Sequence, residues 1–99
     1  METEVQFFRS LKIVVLNLIK HAEPVPAELL QPARAYDDGE WQGLPPSAKA
    51  KQIQRVQEFL GGDNPVSKHY SDYPHAFSRN CFKRMLEDLA SYRDDLSRP

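Results

Sequence analysis

A single cysteine, Cys81, leaves the chain no means of forming an internal disulfide. A lone thiol fits a reducing compartment. Glycine is scarce as well, with four residues at positions 39, 43, 61 and 62. None stands in the Gly-x-x-x-x-Gly-Lys run that cradles phosphates, and no Gly-x-Ser-x-Gly elbow occurs. Neither charge sign dominates: thirteen Lys and Arg against fourteen Asp and Glu give a net charge of -1. That balance argues against broad attraction to a polyanion. The longest apolar run, Ile13-Val14-Val15-Leu16, is far short of the ~20 residues that span a bilayer. The opening Met1-Glu2-Thr3-Glu4 puts acids where a signal peptide carries positive charge. These features lead to an expectation of a cytoplasmic protein without a membrane partner.

What is present is an ordinary globular composition, 40% hydrophobic and 27% charged over 99 residues. That length suggests one domain. The strongest signals are two amphipathic helices near the ends. In the first, about residues 3–22, Phe7, Phe8, Leu11, Val14, Val15, Leu18, Ile19 and Ala22 recur at three- and four-residue spacing. Thr3 followed by Gln6 matches a capping box. The β-branched stretch at 12–17 offers a rival strand, but strict alternation fails there while the helical period holds. Ile13 and Leu16 fall off the main stripe. A helix that is apolar on more than one side is either central or covered by another molecule. This pair is therefore the candidate surface for self-association, as in a homodimer.

In the last helix, about 74–96, the stripe is Phe77, Cys81, Phe82, Met85, Leu86, Leu89, Tyr92 and Leu96. A third helix, 47–60, carries Ile53, Val56, Phe59 and Leu60 and stops at Gly61-Gly62. Pro24 ends the first helix, and Pro26 opens a short helix from Ala27 to Gln31 that Pro32 limits. Residues 32–46 read as a loop-rich middle. Asn64-Pro65 marks another short turn with Asn64 as its cap. The expected fold is all-α: a small bundle of three main helices with one or two short ones.

No constellation makes a complete catalytic or metal site, and no cofactor is expected. His69 and His75 are six apart across Pro74, a spacing that matches no familiar zinc pattern. Cys81 lies on an apolar stripe, where a free thiol behaves as a small hydrophobe. Asp37-Asp38-Gly39-Glu40 lacks the alternating ligands and distal Glu of a calcium loop. The leading expectation is a protein–protein interaction module that regulates, adapts or inhibits a larger partner. Its candidate contacts are Trp41 with Asp37, Asp38 and Glu40, and Tyr70, Tyr73 and Arg79 near the start of the last helix. Aromatic and Arg side chains anchor interfaces, although packing alone favours Trp41 folded back over the core. The alternative is nucleic-acid binding by Lys49, Lys51 and Arg55 on the third helix, where amide side chains are interleaved. A weaker alternative is a small ligand- or metal-binding protein using the His69–His75 segment.

Overall fold

The computed structural model describes residues 2–98. It contains five α-helices and no strand among the described residues: α1 (Glu2–Lys20), α2 (Ala27–Asp37), α3 (Pro46–Gly61), α4 (Pro65–Asp72) and α5 (Ala76–Leu96). A 3-10 turn, Trp41–Gly43, joins α2 to α3. The all-α expectation is correct, and residues 12–17 are helical.

The long helices α1 and α5 run antiparallel and form the axis of the molecule. Thr3 Oγ1 donates to Asp95 Oδ2 at 2.7 Å, Tyr92 Oη donates to Glu4 Oε2 at 2.6 Å, and Ser10 Oγ donates to Asp88. Phe7, Leu11, Val14 and Leu18 of α1 meet Met85, Leu89 and Tyr92 of α5 in one hydrophobic cluster. The other helices close that cluster with Leu29, Ile53, Val56, Leu60, Val66 and Tyr70.

Several local expectations are corrected. Thr3 is drawn into the bond with Asp95, so no capping box forms with Gln6. The helix instead carries Glu2 and Glu4 in its first turn and Lys20 in its last, which suits its dipole. It ends two residues early, at Lys20, in a Schellman turn: Glu23 N donates to Leu18 O at 2.9 Å and Ala22 N to Ile19 O at 3.1 Å. Ala22 occupies the left-handed position with φ 59°. Pro32 does not stop α2, which continues to Asp37. The proline ring is buried, and one turn later Tyr36 stacks on Phe8 at 4.1 Å. Tertiary contact thus offsets the lost hydrogen bond. The Asn64 cap forms, accepting from Ser67 N at 2.8 Å, and the helix it starts is two turns long. The last helix opens at Ala76 with His75 as its cap, slightly later than Pro74.

No helix among the described residues is long and apolar enough to cross a membrane.

Candidate functional site

The two ends of the α1/α5 pair differ in chemistry. At the end holding the start of α1 and the C-terminal half of α5, polar groups are buried and mutually bonded. Glu4 accepts from Tyr92 Oη, from Gln42 Nε2 at 2.7 Å and from Lys49 Nζ at 3.2 Å. Burial pushes the Glu4 carboxyl up. The three hydrogen bonds and the Lys49 charge outweigh that push and hold it below its ordinary value. Trp41 Nε1 donates to Tyr92 Oη at 3.0 Å. Burial and the bond to Glu4 push the Tyr92 phenol well above its usual range.

This network settles the place of Trp41. The side chain is 1% exposed and packs edge-on against Phe8 at 4.9 Å. It is core, so the expectation that it anchors a surface contact is corrected. Tyr70 is corrected in the same way: it is 2% exposed, stacks on Phe82 at 4.9 Å and donates to Val14 O at 3.3 Å. Burial, more than its Cys81 and Tyr73 neighbours, raises its phenol to about 12. Lys49 is engaged with Glu4 and largely covered, which removes it from the Lys49, Lys51 and Arg55 set. Lys51 and Arg55 are exposed.

Asp37, Asp38 and Glu40 are exposed, and Asp37 lies 3.9 Å from Lys12. Tyr73 is half-buried, and exposed Arg79 donates to its carbonyl oxygen at 2.6 Å. The acidic loop and this tyrosine–arginine pair do not share a face. Trp41 is bonded to Tyr92, and Arg79 lies thirteen positions earlier on α5, roughly 20 Å along the axis at 1.5 Å per residue.

At the opposite end, the C-terminal half of α1 meets the start of α5. Here Ile13 is 40% exposed, Leu16 55% and Phe77 74%. Phe77 is the wall between two shallow grooves. One is lined by Ser10, Ile13, Asn80, Cys81 and Arg84, the other by Asn17, Lys20, His21, Tyr73, His75 and Ser78. The periodicity had placed Phe77 in the core stripe. Ser78 takes the inward position instead, beginning the run Ser78, Phe82, Met85, Leu89, Tyr92. That unbroken four-three-four-three spacing was a signal available in the sequence.

Beside this patch the fold gathers all three histidines. His21 Nδ1 and His69 Nε2 are 3.2 Å apart, and Glu23 Oε1 approaches His69 Nδ1 at 3.5 Å. The Tyr73 ring stacks on His21 at 4.3 Å and lies 5.5 Å from His75. Partial burial, with His69, Lys20 and His75 nearby, pushes His21 below its usual value, and Glu23 opposes this. No group of three or more His, Cys, Asp or Glu placed to hold a metal ion occurs among the described residues. His21 lies far from His69 in sequence, and nothing in the spacing pointed to the pair.

Comparison with protein-family models, with curated proteins and with solved structures finds no match.

Proposed function

We propose that the protein is a protein–protein interaction module, a regulator, adaptor or inhibitor of a larger protein, and that it binds through the α1/α5 surface centred on Phe77. One observation carries this reading: a phenylalanine 74% exposed on a regular helix, sharing a groove with Ile13 of the neighbouring helix, which is 40% exposed and has Leu16, 55% exposed, three residues further along α1. Contiguous apolar surface of this kind on a small protein marks an interaction site. Tyr73 lines one of its grooves and remains a candidate contact, and Arg79 is tied to it through the Tyr73 carbonyl. Tyr70, stacked on Phe82 and bonded to Val14 O, lies in the core of this half, whereas Trp41 belongs to the opposite end.

The experiment is affinity capture from the native host with wild-type protein and with Phe77→Ser in parallel. A protein recovered by the wild type and lost with Phe77→Ser, at unchanged melting temperature, supports the assignment. Identical recovery by both removes Phe77 from the interface.

A further inference from the structure

We infer that the occupant of this surface is an acidic amphipathic helix of a partner protein, laid against the Ile13–Leu16–Phe77 patch. The inference rests on the proposed interaction role and adds the chemistry of the partner.

Charge is distributed unevenly along the α1/α5 pair. Between Val5 and Ala22 the sequence contains no acid, while Arg9, Lys12 and Lys20 are present. Between Ala76 and Leu86 it again contains no acid, while Arg79, Lys83 and Arg84 are present. The antiparallel packing brings these two acid-free stretches together, with Lys20 and Arg84 lining the grooves on either side of Phe77, while Lys12 pairs with Asp37 and Arg79 is bonded to the Tyr73 carbonyl. The acids of the pair, Glu2, Glu4, Glu87, Asp88, Asp94 and Asp95, all belong to the other half.

On α1, Arg9, Ile13, Leu16 and Lys20 follow four-, three- and four-residue steps, so one exposed edge presents two aliphatic side chains with a cation at each end. Arg9 and Lys20 make no ion pair among the described residues. Arg84, on the wall of the groove, is held by Asp88 at 3.3 Å. The result is an apolar strip with a cationic rim, the complement of a helix with one apolar stripe flanked by carboxylates.

A second copy of the chain fits less well. A two-fold axis through the patch would set the Arg9 and Lys20 rim against the same residues of the copy, and like charges across an interface oppose association. A nucleic acid would use the cations but leave Ile13 and Leu16 without a counterpart.

Two synthetic helical peptides test the inference. Both carry the same leucine stripe; one is flanked by Glu and the other by Lys. Binding is followed by amide chemical shifts of the labelled full chain. The expected result is that the Glu peptide binds at least roughly tenfold tighter than the Lys peptide, with a gap that narrows as salt rises. Phe77→Ser should abolish binding, and Arg9→Gln with Lys20→Gln should erase the preference for Glu.

Equal or tighter binding of the Lys peptide, still lost with Phe77→Ser, overturns the charge inference and leaves the docking surface standing. A concentration-dependent dimer that Phe77→Ser disperses overturns it in favour of a second copy. An oligonucleotide that binds through Arg9 and Lys20 overturns it in favour of nucleic acid. If neither peptide binds and captured proteins are unchanged by Phe77→Ser, the interaction surface falls together with its partner.

Discussion

The two ends of the α1/α5 pair are built from the same two helices and do opposite things with polar and apolar groups. At the Glu4 end, a carboxylate, a phenol and an indole are bonded to one another in the interior, and a half-buried ammonium and the amide of exposed Gln42 close the carboxylate off from outside. At the Phe77 end, large apolar side chains lie in solvent and two imidazoles share a contact near the surface. A buried polar network contributes mainly by leaving nothing unpaired, and removing one member exposes that dependence. An exposed apolar patch adds little to folding and acquires value when something covers it. The Glu4 end is therefore where substitutions should damage the fold, and the Phe77 end where they should damage only binding.

The largest effect should come from Trp41→Ala. It removes the largest fully buried side chain and leaves Tyr92 Oη without its indole donor. A loss of about 3–5 kcal/mol is expected from the cavity, a large share of the total stability of a domain this size. Chemical denaturation measures it. A loss below about 1 kcal/mol would mean that the side chain is not core, and the contrast between the ends would weaken at its strongest point.

Glu4→Ala comes next. It strands Lys49 and the Tyr92 hydroxyl together, and breaking a largely buried charge pair from one side costs about 3 kcal/mol. Glu4→Gln keeps an acceptor and should cost less. If both substitutions cost the same, shape rather than charge holds this end. Acid should reproduce part of the effect. Because folding lowers the Glu4 pKa, its contribution is present above the ordinary carboxylate value of 4.5 and is lost as pH falls through the folded value.

The Phe77 end should respond to acid earlier. His21 binds a proton less readily when folded, so stability declines as pH falls below the ordinary imidazole value of 6.5. The groups that face it are His69, Lys20, His75 and Tyr73, with Glu23 the one opposing charge. The urea midpoint should fall modestly between pH 7.5 and 5.5, and His21→Asn should flatten that slope. A midpoint independent of pH over this interval would remove the histidines from the comparison.

How much of this contrast was legible in the sequence follows the same division. Helical period alone located α1, α3 and α5, because each buries a continuous stripe. It also isolated Ile13 and Leu16 as off-stripe. It could not see that Pro32 would be carried through α2, since that depends on Tyr36 meeting Phe8 from another helix. The same holds for the Glu4 network and for the His21–His69 contact, whose partners are 88 and 48 residues apart. Such long-range pairs leave no local pattern. Phe77 is different: the rival stripe through Ser78 was readable, and a bulky aromatic beside a small polar residue drew the assignment the wrong way.

Ala22→Gly should have a smaller effect, of opposite sign. Ala22 holds φ 59° at the Schellman turn that places His21, and a left-handed conformation costs an L-residue about 1 kcal/mol. Glycine removes that strain and should raise the melting temperature slightly. Loss of stability instead would show that added freedom in the unfolded chain outweighs the strain.

The smallest effect on folding belongs to the residue on which the functional reading depends most. Phe77→Ser should change stability by no more than about 0.5 kcal/mol, because the ring is already mostly in water. Solubility should rise as the apolar patch shrinks. A native-like spectrum, an unchanged urea midpoint and loss of the Glu-peptide complex would together separate the interaction surface from the fold. A substantial drop in the midpoint would mean that Phe77 closes the groove over Ile13 and Cys81 in solution. The Phe77 end would then be a second core rather than an open face, and the comparison between the two ends would collapse.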